Sequence, residues 1–161
     1  MKTFLAAALA ATLLAAGAAQ TQAAQTQAAM APANPAAGAD PIIGDATYKA
    51  FHERDGIARI MADFVPRITA DPRIMRRFEG ANLVRLQLML TNQVCYLTGG
   101  PCEYGGRDMT EVHASFGLTN ADFNALAEDL QVSMDREKVP FAAQNQLLAK
   151  LAPMQRVIVT K

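Results

Sequence analysis

The sequence predicts an all-α protein. Apolar residues recur at helical spacing in successive segments from Ile57 onward, and start and stop signals separate those segments. The only strand-like stretch is Val157-Ile158-Val159, too short to build a sheet.

Ile57, Ile60, Met61, Phe64, Val65 and Ile68 fall at i, i+3, i+4, i+7, i+8 and i+11, one apolar face of a helix. Pro66 predicts a kink or an early stop in it. Asp71-Pro72 reads as a cap and a first-turn proline, opening a short helical piece to about Phe78. Leu83, Leu86, Leu90, Val94 and Leu97 mark the next helix, which Gly99-Gly100-Pro101 ends. Gly105-Gly106 is a second break, and a short helix over 109–115 follows. Thr119-Asn120-Ala121-Asp122 resembles a capping box. It opens a helix carrying Phe123, Leu126, Ala127, Leu130 and Met134. Pro140 opens the last helix, with Phe141, Leu147, Leu148 and Leu151 predicted to face inward.

These helices occupy only the later part of the 161 residues. Met1-Lys2 is a short charged start, residues 4–16 are apolar except Thr12, and Gly17-Ala18-Ala19 are small. That order describes a secretory signal peptide over 1–19. The apolar stretch falls short of the roughly 20 residues a spanning helix needs, so no stable membrane insertion is expected once the signal is removed. Residues 20–46 repeat Gln-Thr-Gln-Ala-Ala and then carry Pro32, Pro35 and Pro41, which reads as a flexible low-complexity spacer. The folded domain is assigned to 47–161, and the protein to an exported, periplasmic location.

Fifteen Lys and Arg balance fifteen Asp and Glu, which leaves no electrostatic footprint for nucleic acid. A closed zinc site would need both His and both Cys, or carboxylates in their place. The glycine pairs lack the Lys-Ser/Thr of a phosphate loop. Ser115, His113 and Asp108 could be drawn as a triad, but no nucleophile elbow accompanies them.

Cys95 and Cys102 stand seven residues apart with Gly99-Gly100-Pro101 between them. The break lets the chain fold back, and in an oxidising compartment a disulfide is the favoured reading. The alternative is a buried Cys95 thiol and an exposed Cys102. There is no Cys-x-x-Cys-His, so haem attachment through thioether bonds has no support. His52 lies among Glu53, Arg54 and Asp55 and reads as a solvated turn. His113, flanked by Val112, Ala114 and Phe116, is either a satisfied core histidine or a ligand. One imidazole is enough for haem, where porphyrin burial supplies the rest of the binding.

Several short motifs then line up. They are Asp63-Phe64, Ala70-Asp71-Pro72, Phe78 with Gly80, Gly99-Gly100-Pro101, Tyr104-x-Gly106, Met109-x-x-x-His113, Gly117-Leu118-Thr119 with Phe123, and Leu151-Ala152-Pro153. In this order and spacing the segment from Tyr48 to about Val159 resembles the truncated haemoglobins, most closely the group I type. The resemblance implies a two-over-two helical sandwich around one haem b (iron protoporphyrin IX). It puts the proximal ligand on His113 and pocket residues on Phe64, Phe78, Tyr104, Met109, Leu118 and Phe123. The distal side falls on Val65, Leu86 and Leu90.

Three positions depart from that family. His52-Glu53 stand where a glycine pair is common, Val65 where a Tyr is usual, and Leu86 and Leu90 where a hydrogen-bond donor is often found. Gln93 is the nearest polar substitute. The resulting expectation is a protein that binds a diatomic gas (oxygen, nitric oxide or carbon monoxide) at an apolar site. The alternatives are a haem enzyme that oxidises nitric oxide or uses peroxide, and an electron-transfer protein with a redox partner and a sixth site closed by a side chain such as Met89.

Overall fold

The computed structural model describes residues 33–161; the expected signal peptide and the first part of the expected spacer lie outside them. Seven α-helices are present among the described residues: α1 (Ala46–Ala50), α2 (Glu53–Ala70), α3 (Leu83–Leu97), α4 (Met109–His113), α5 (Asn120–Arg136), α6 (Phe141–Leu151) and α7 (Gln155–Ile158). Three single 3-10 turns join them: Pro35–Ala37, Met75–Phe78 and Ala152–Met154. The described residues hold no strand, only an isolated parallel bridge between Leu118 and Val159.

Helix α2 is the hub and packs along both α3 and α5. Its buried face is Ile57, Ile60, Met61, Phe64, Val65 and Ile68, the set that the spacing predicts. Pro66 does not stop it. The helix runs four residues further, and Thr69 Oγ1 donates to the carbonyls of Val65 and Pro66, each at 3.0 Å. Polar contacts seal the α2–α5 seam. Asp63 accepts from Arg67 (2.8 Å), from the Ser133 hydroxyl (2.8 Å) and from Arg136. Burial pushes the Asp63 carboxyl upward, but these hydrogen bonds prevail and hold it at about 2.

The capping box at Thr119 forms as the residues predict: Asp122 N–H donates to Thr119 Oγ1 at 3.1 Å, and Thr119 N–H to Asp122 Oδ2 at 2.8 Å. Arg77 then clamps Asp122 through Nη2 at 2.9 Å, tying the Met75–Phe78 turn to α5.

Helix α1 escapes the periodicity because five residues give no apolar stripe to read. In α6 the buried positions are Ala143, Gln144 and Leu147, and Phe141 is 70 % exposed rather than inward. The inward face is fixed by Gln144, whose amide donates to Asp135 Oδ1 (2.7 Å) and the Val139 carbonyl (2.9 Å).

The later part of the expected spacer is built into the domain. Asn34 caps the turn Pro35–Ala37, Pro35 sits at its start, and Gly38 ends it with φ +87°. Ala37 is fully buried, and Ile42 N–H donates to the Leu97 carbonyl at 2.9 Å. A small residue burying its methyl group needs no bulky neighbour, which is why hydropathy alone reads this stretch as uncommitted.

Candidate functional site

The short helix α4 exists because of its cap. Asp108 Oδ1 accepts from the N–H groups of Thr110 (2.8 Å) and Glu111 (3.3 Å). One turn later the chain reaches His113, half-buried at the helix end. Its Nδ1 lies 2.7 Å from the Met109 carbonyl oxygen. A carbonyl can only accept, so Nδ1 carries the proton and donates. That bond fixes the tautomer and leaves Nε2 with its lone pair. No group among the described residues hydrogen-bonds Nε2.

The segment after His113 is braced. The Phe116 ring stands edge-on to the imidazole, centroids 6.1 Å apart. Gly117 takes φ +55°, a conformation that favours glycine, and turns the chain into Leu118. The Leu118 carbonyl accepts from Thr160 N–H (3.0 Å) and Lys161 N–H (3.1 Å), and α7 packs on α4. The C-terminal residues thus hold the His113 turn from behind.

Helices α3 and α4 do not pack along each other. Leu86 and Leu90, one turn apart on α3, remain half-buried, as do Phe78, Leu118 and Phe123. Phe64 and Val65, at 2 % and 3 % exposure, are fully buried on α2. Met109 is buried at 8 %. Half-covered apolar side chains and an imidazole with a spare lone pair are the surface and donor that a haem requires, so these residues fit that group.

The expected pocket residue Tyr104 and the polar substitute Gln93 have other tasks. The Tyr104 hydroxyl donates to the Arg107 carbonyl at 3.1 Å, its ring lies over Gly106, and its carbonyl accepts from Asn34 Nδ2 at 2.7 Å. Its polar atoms serve the loop ahead of α4. Gln93 is buried and donates to the Ala37 carbonyl at 2.9 Å, so it is held away from the role of distal donor. Cys95 and Cys102 form the disulfide, with Cα atoms 5.8 Å apart. Arg54 Nη1 lies 3.1 Å from Cys102 Sγ, and Nη2 donates to Asn92. The end of α3 is thereby bound to the loop that leads to α4.

Sequence reasoning missed the contacts of residues 34–38, although Asn-Pro-Ala-Ala-Gly carries the cap, first-turn proline and terminal glycine of a helical turn. It also missed Asp129, whose burial no single-residue signal announces.

A profile of the family described as bacterial-like globin matches residues 47–160. The chain belongs to this globin family. Similar curated proteins include a group 1 truncated hemoglobin of Mycolicibacterium paratuberculosis, 29% identical over 101 residues, covering 63% of this chain and 74% of that one. Another, from Tetrahymena pyriformis, is 30% identical over 83 residues, covering 52% of this chain and 69% of the other. Among solved structures, the Fe(III) form of the T. pyriformis truncated hemoglobin superposes with a TM-score of 0.68 at 23% identity, over 71% of this chain and 98% of that one. A 2/2 hemoglobin from Synechococcus gives 0.63 at 21%, over 69% and 94%. The fold of this globin is therefore the two-over-two sandwich that the helix pattern and motifs imply.

Proposed function

We propose that this globin holds haem b through His113 and takes a diatomic gas on the side lined by Val65, Leu86 and Leu90. The observation that carries the reading is the 2.7 Å bond from His113 Nδ1 to the Met109 carbonyl. A metal-ligating imidazole regularly donates its other N–H in this way, which orients the ring and raises its basicity. Bound haem would supply an iron with one site open to the gas. Phe78, Leu118 and Phe123 would cover its apolar faces and exclude water, and His113 would anchor it.

The opposite side presents side chains without donors. This favours reversible binding of weakly polar gases over retention of oxygen, and favours gas binding over peroxide chemistry, which depends on distal polar groups. Carbon monoxide and nitric oxide fit that surface better than oxygen does.

Replacing the anchor tests the assignment. His113→Ala should lower haem occupancy sharply in protein reconstituted with haem, while His52→Ala should leave the Soret band unchanged. A native-like spectrum with full occupancy in His113→Ala would refute it.

We further propose that residues 1–19 direct export and that the protein works in the periplasm. The charged start, apolar stretch and small-residue exit support this, and so does a disulfide, which persists in oxidising compartments. The intact mass of material from a periplasmic extract tests it: a chain that retains residues 1–19 would count against export.

A further inference from the structure

We infer that Gln93 is a positioning residue for His113, acting through Met109, and that residues 34–38 lock this arrangement in place. The inference rests on the proposed ligation by His113 and adds to it a device specific to this chain.

Gln93 occupies an unusual place. It lies three and seven residues after Leu90 and Leu86, on the same side of α3 as those apolar positions. A glutamine at 6 % exposure on such a stripe is costly unless its amide is bonded. Its Nε2 serves two acceptors: the Ala37 carbonyl at 2.9 Å and Met109 Sδ at 3.3 Å. The second is the one side-chain hydrogen bond between α3 and α4 among the described residues. It joins the last turns of α3 to the start of α4.

Met109 is the first residue of α4, and its carbonyl is the acceptor for His113 Nδ1–H. The connection therefore runs from the Gln93 amide to the Met109 sulfur, and from the Met109 carbonyl to the imidazole. A thioether is a weak acceptor, so the bond's value lies in placement. Met109 is also pressed from the other side. A Cβ added to Gly38 would stand 2.8 Å from Met109 Cγ and 2.7 Å from Met154 Cε, so the chain at Gly38 lies directly on both methionines.

That segment is fixed at its far end as well. Asn34 N–H donates to the Tyr96 hydroxyl at 2.8 Å, and Asn34 Nδ2 to the Tyr104 carbonyl at 2.7 Å. Met109 is thus held between α3 and the segment that precedes the globin domain. Partners of a ligating histidine's second nitrogen commonly change metal affinity 10- to 100-fold, and Met109 is that partner here.

The test uses haem-loaded full-length protein and reads the iron–histidine stretch of the ferrous form by resonance Raman. Haem transfer to an excess of an acceptor apoglobin is measured alongside. Gln93→Leu should shift the stretch and speed haem loss about tenfold. Met109→Leu conserves volume, keeps the backbone acceptor and removes only the sulfur, so it should fold and shift the stretch in the same direction. The double variant should shift it no further than the larger single change, because both variants remove the same Gln93–Met109 bond. In haem-free protein, the His113 Nδ1 proton should exchange with water faster in either variant. An unmoved stretch in Met109→Leu, or additive shifts in the double variant, would overturn the inference and leave haem ligation standing. Absence of any iron–histidine stretch in the natural protein would overturn the ligation and this inference together.

Discussion

The carboxyl of Asp129 on α5 and that of Asp71, the residue that ends α2, are displaced in opposite directions, each acting on the other. Asp129 is 8 % exposed, and its Oδ2 has no hydrogen-bond donor. Burial pushes the Asp129 carboxyl up, and the neighbouring Asp71 pushes it further. Asp71 goes the other way, held down by the Arg73 guanidinium. The pair thus diverges, with Asp129 favouring its neutral form and Asp71 its charged form.

The pH dependence follows from that division. A carboxyl raised in the folded state stabilises below its ordinary value of about 3.8, and the contribution is lost as pH rises through the raised value. Asp129→Asn cannot ionise. As pH rises above about 4, the urea midpoint of the natural protein should therefore fall relative to that of Asp129→Asn. Asp63 acts with the opposite sign. Held at about 2, it stabilises above 3.8 and loses the contribution as pH falls toward 2. Two midpoint curves that stay parallel would show that Asp129 ionises freely.

Backbone strain sits at the start of α2. His52 and Glu53, neither a glycine, take φ +57° and +59°. The left-handed conformation costs an L side chain roughly 1–2 kcal/mol, and glycine returns about 0.5–1 of it as unfolded-state entropy. Glu53 is exposed and makes no hydrogen bond through its side chain among the described residues, whereas His52 Nδ1 lies 3.1 Å from Glu137. Glu53→Gly should thus stabilise by up to about 1 kcal/mol, and the same change at His52 by less. Thermal melts of the two variants beside the natural protein check the order.

Residues with a local signature were legible in the sequence, and residues whose partners are remote were not. The Thr119 cap is a contact over three residues, so four letters disclose it. The stripe of α2 is a period, so six apolar residues disclose it. His113 stood out as a candidate ligand only through motif resemblance, because its Nδ1 bond depends on a five-residue helix closing. Gln93 could be read only as the nearest polar residue to the distal side, because the acceptor that holds it, Ala37, lies 56 residues away in a stretch without hydropathic signal. Phe141 was misplaced because size suggests burial, while the bonding of Gln144 decides which face of α6 turns inward.

The disulfide is a stability device with a defined range. Cys95 is fully buried near the end of α3, and Cys102 lies beyond the Gly99-Gly100-Pro101 turn. Closing a loop of about eight residues is worth about 2.5 kcal/mol in the chain-entropy model. Cys95→Ala with Cys102→Ser should lower unfolding free energy by about that amount. The loop before α4 should loosen with it, because Arg54 loses its contact with Cys102 Sγ. Chemical denaturation gives the first quantity, and amide exchange over residues 98–108 the second. Two free, alkylatable thiols in the natural protein would remove the premise.

The distal side makes the sharpest functional prediction. Oxygen gains partial negative charge when it binds a ferrous haem, and a nearby N–H or O–H retains it by roughly 1.5–3 kcal/mol. Val65, Leu86 and Leu90 have no such group, and Gln93 is committed to Ala37 and Met109. Oxygen release should then be about one to two decades faster than from a pocket with a donor, if the whole difference appears in that rate. Carbon monoxide, less polar, should dissociate at an ordinary rate. Installing a donor is best done at Leu90, which is half-buried and close in size to glutamine. Val65 is 3 % exposed, and a larger residue there meets the 1–3 kcal/mol overpacking cost. Leu90→Gln should slow oxygen release and leave carbon monoxide release nearly unchanged, as measured by stopped-flow displacement. Slow oxygen release in the natural protein would mean that a donor other than these residues reaches the gas. A six-coordinate ferrous spectrum without added ligand would mean that a side chain, Met89 foremost, already fills the site where the gas should bind.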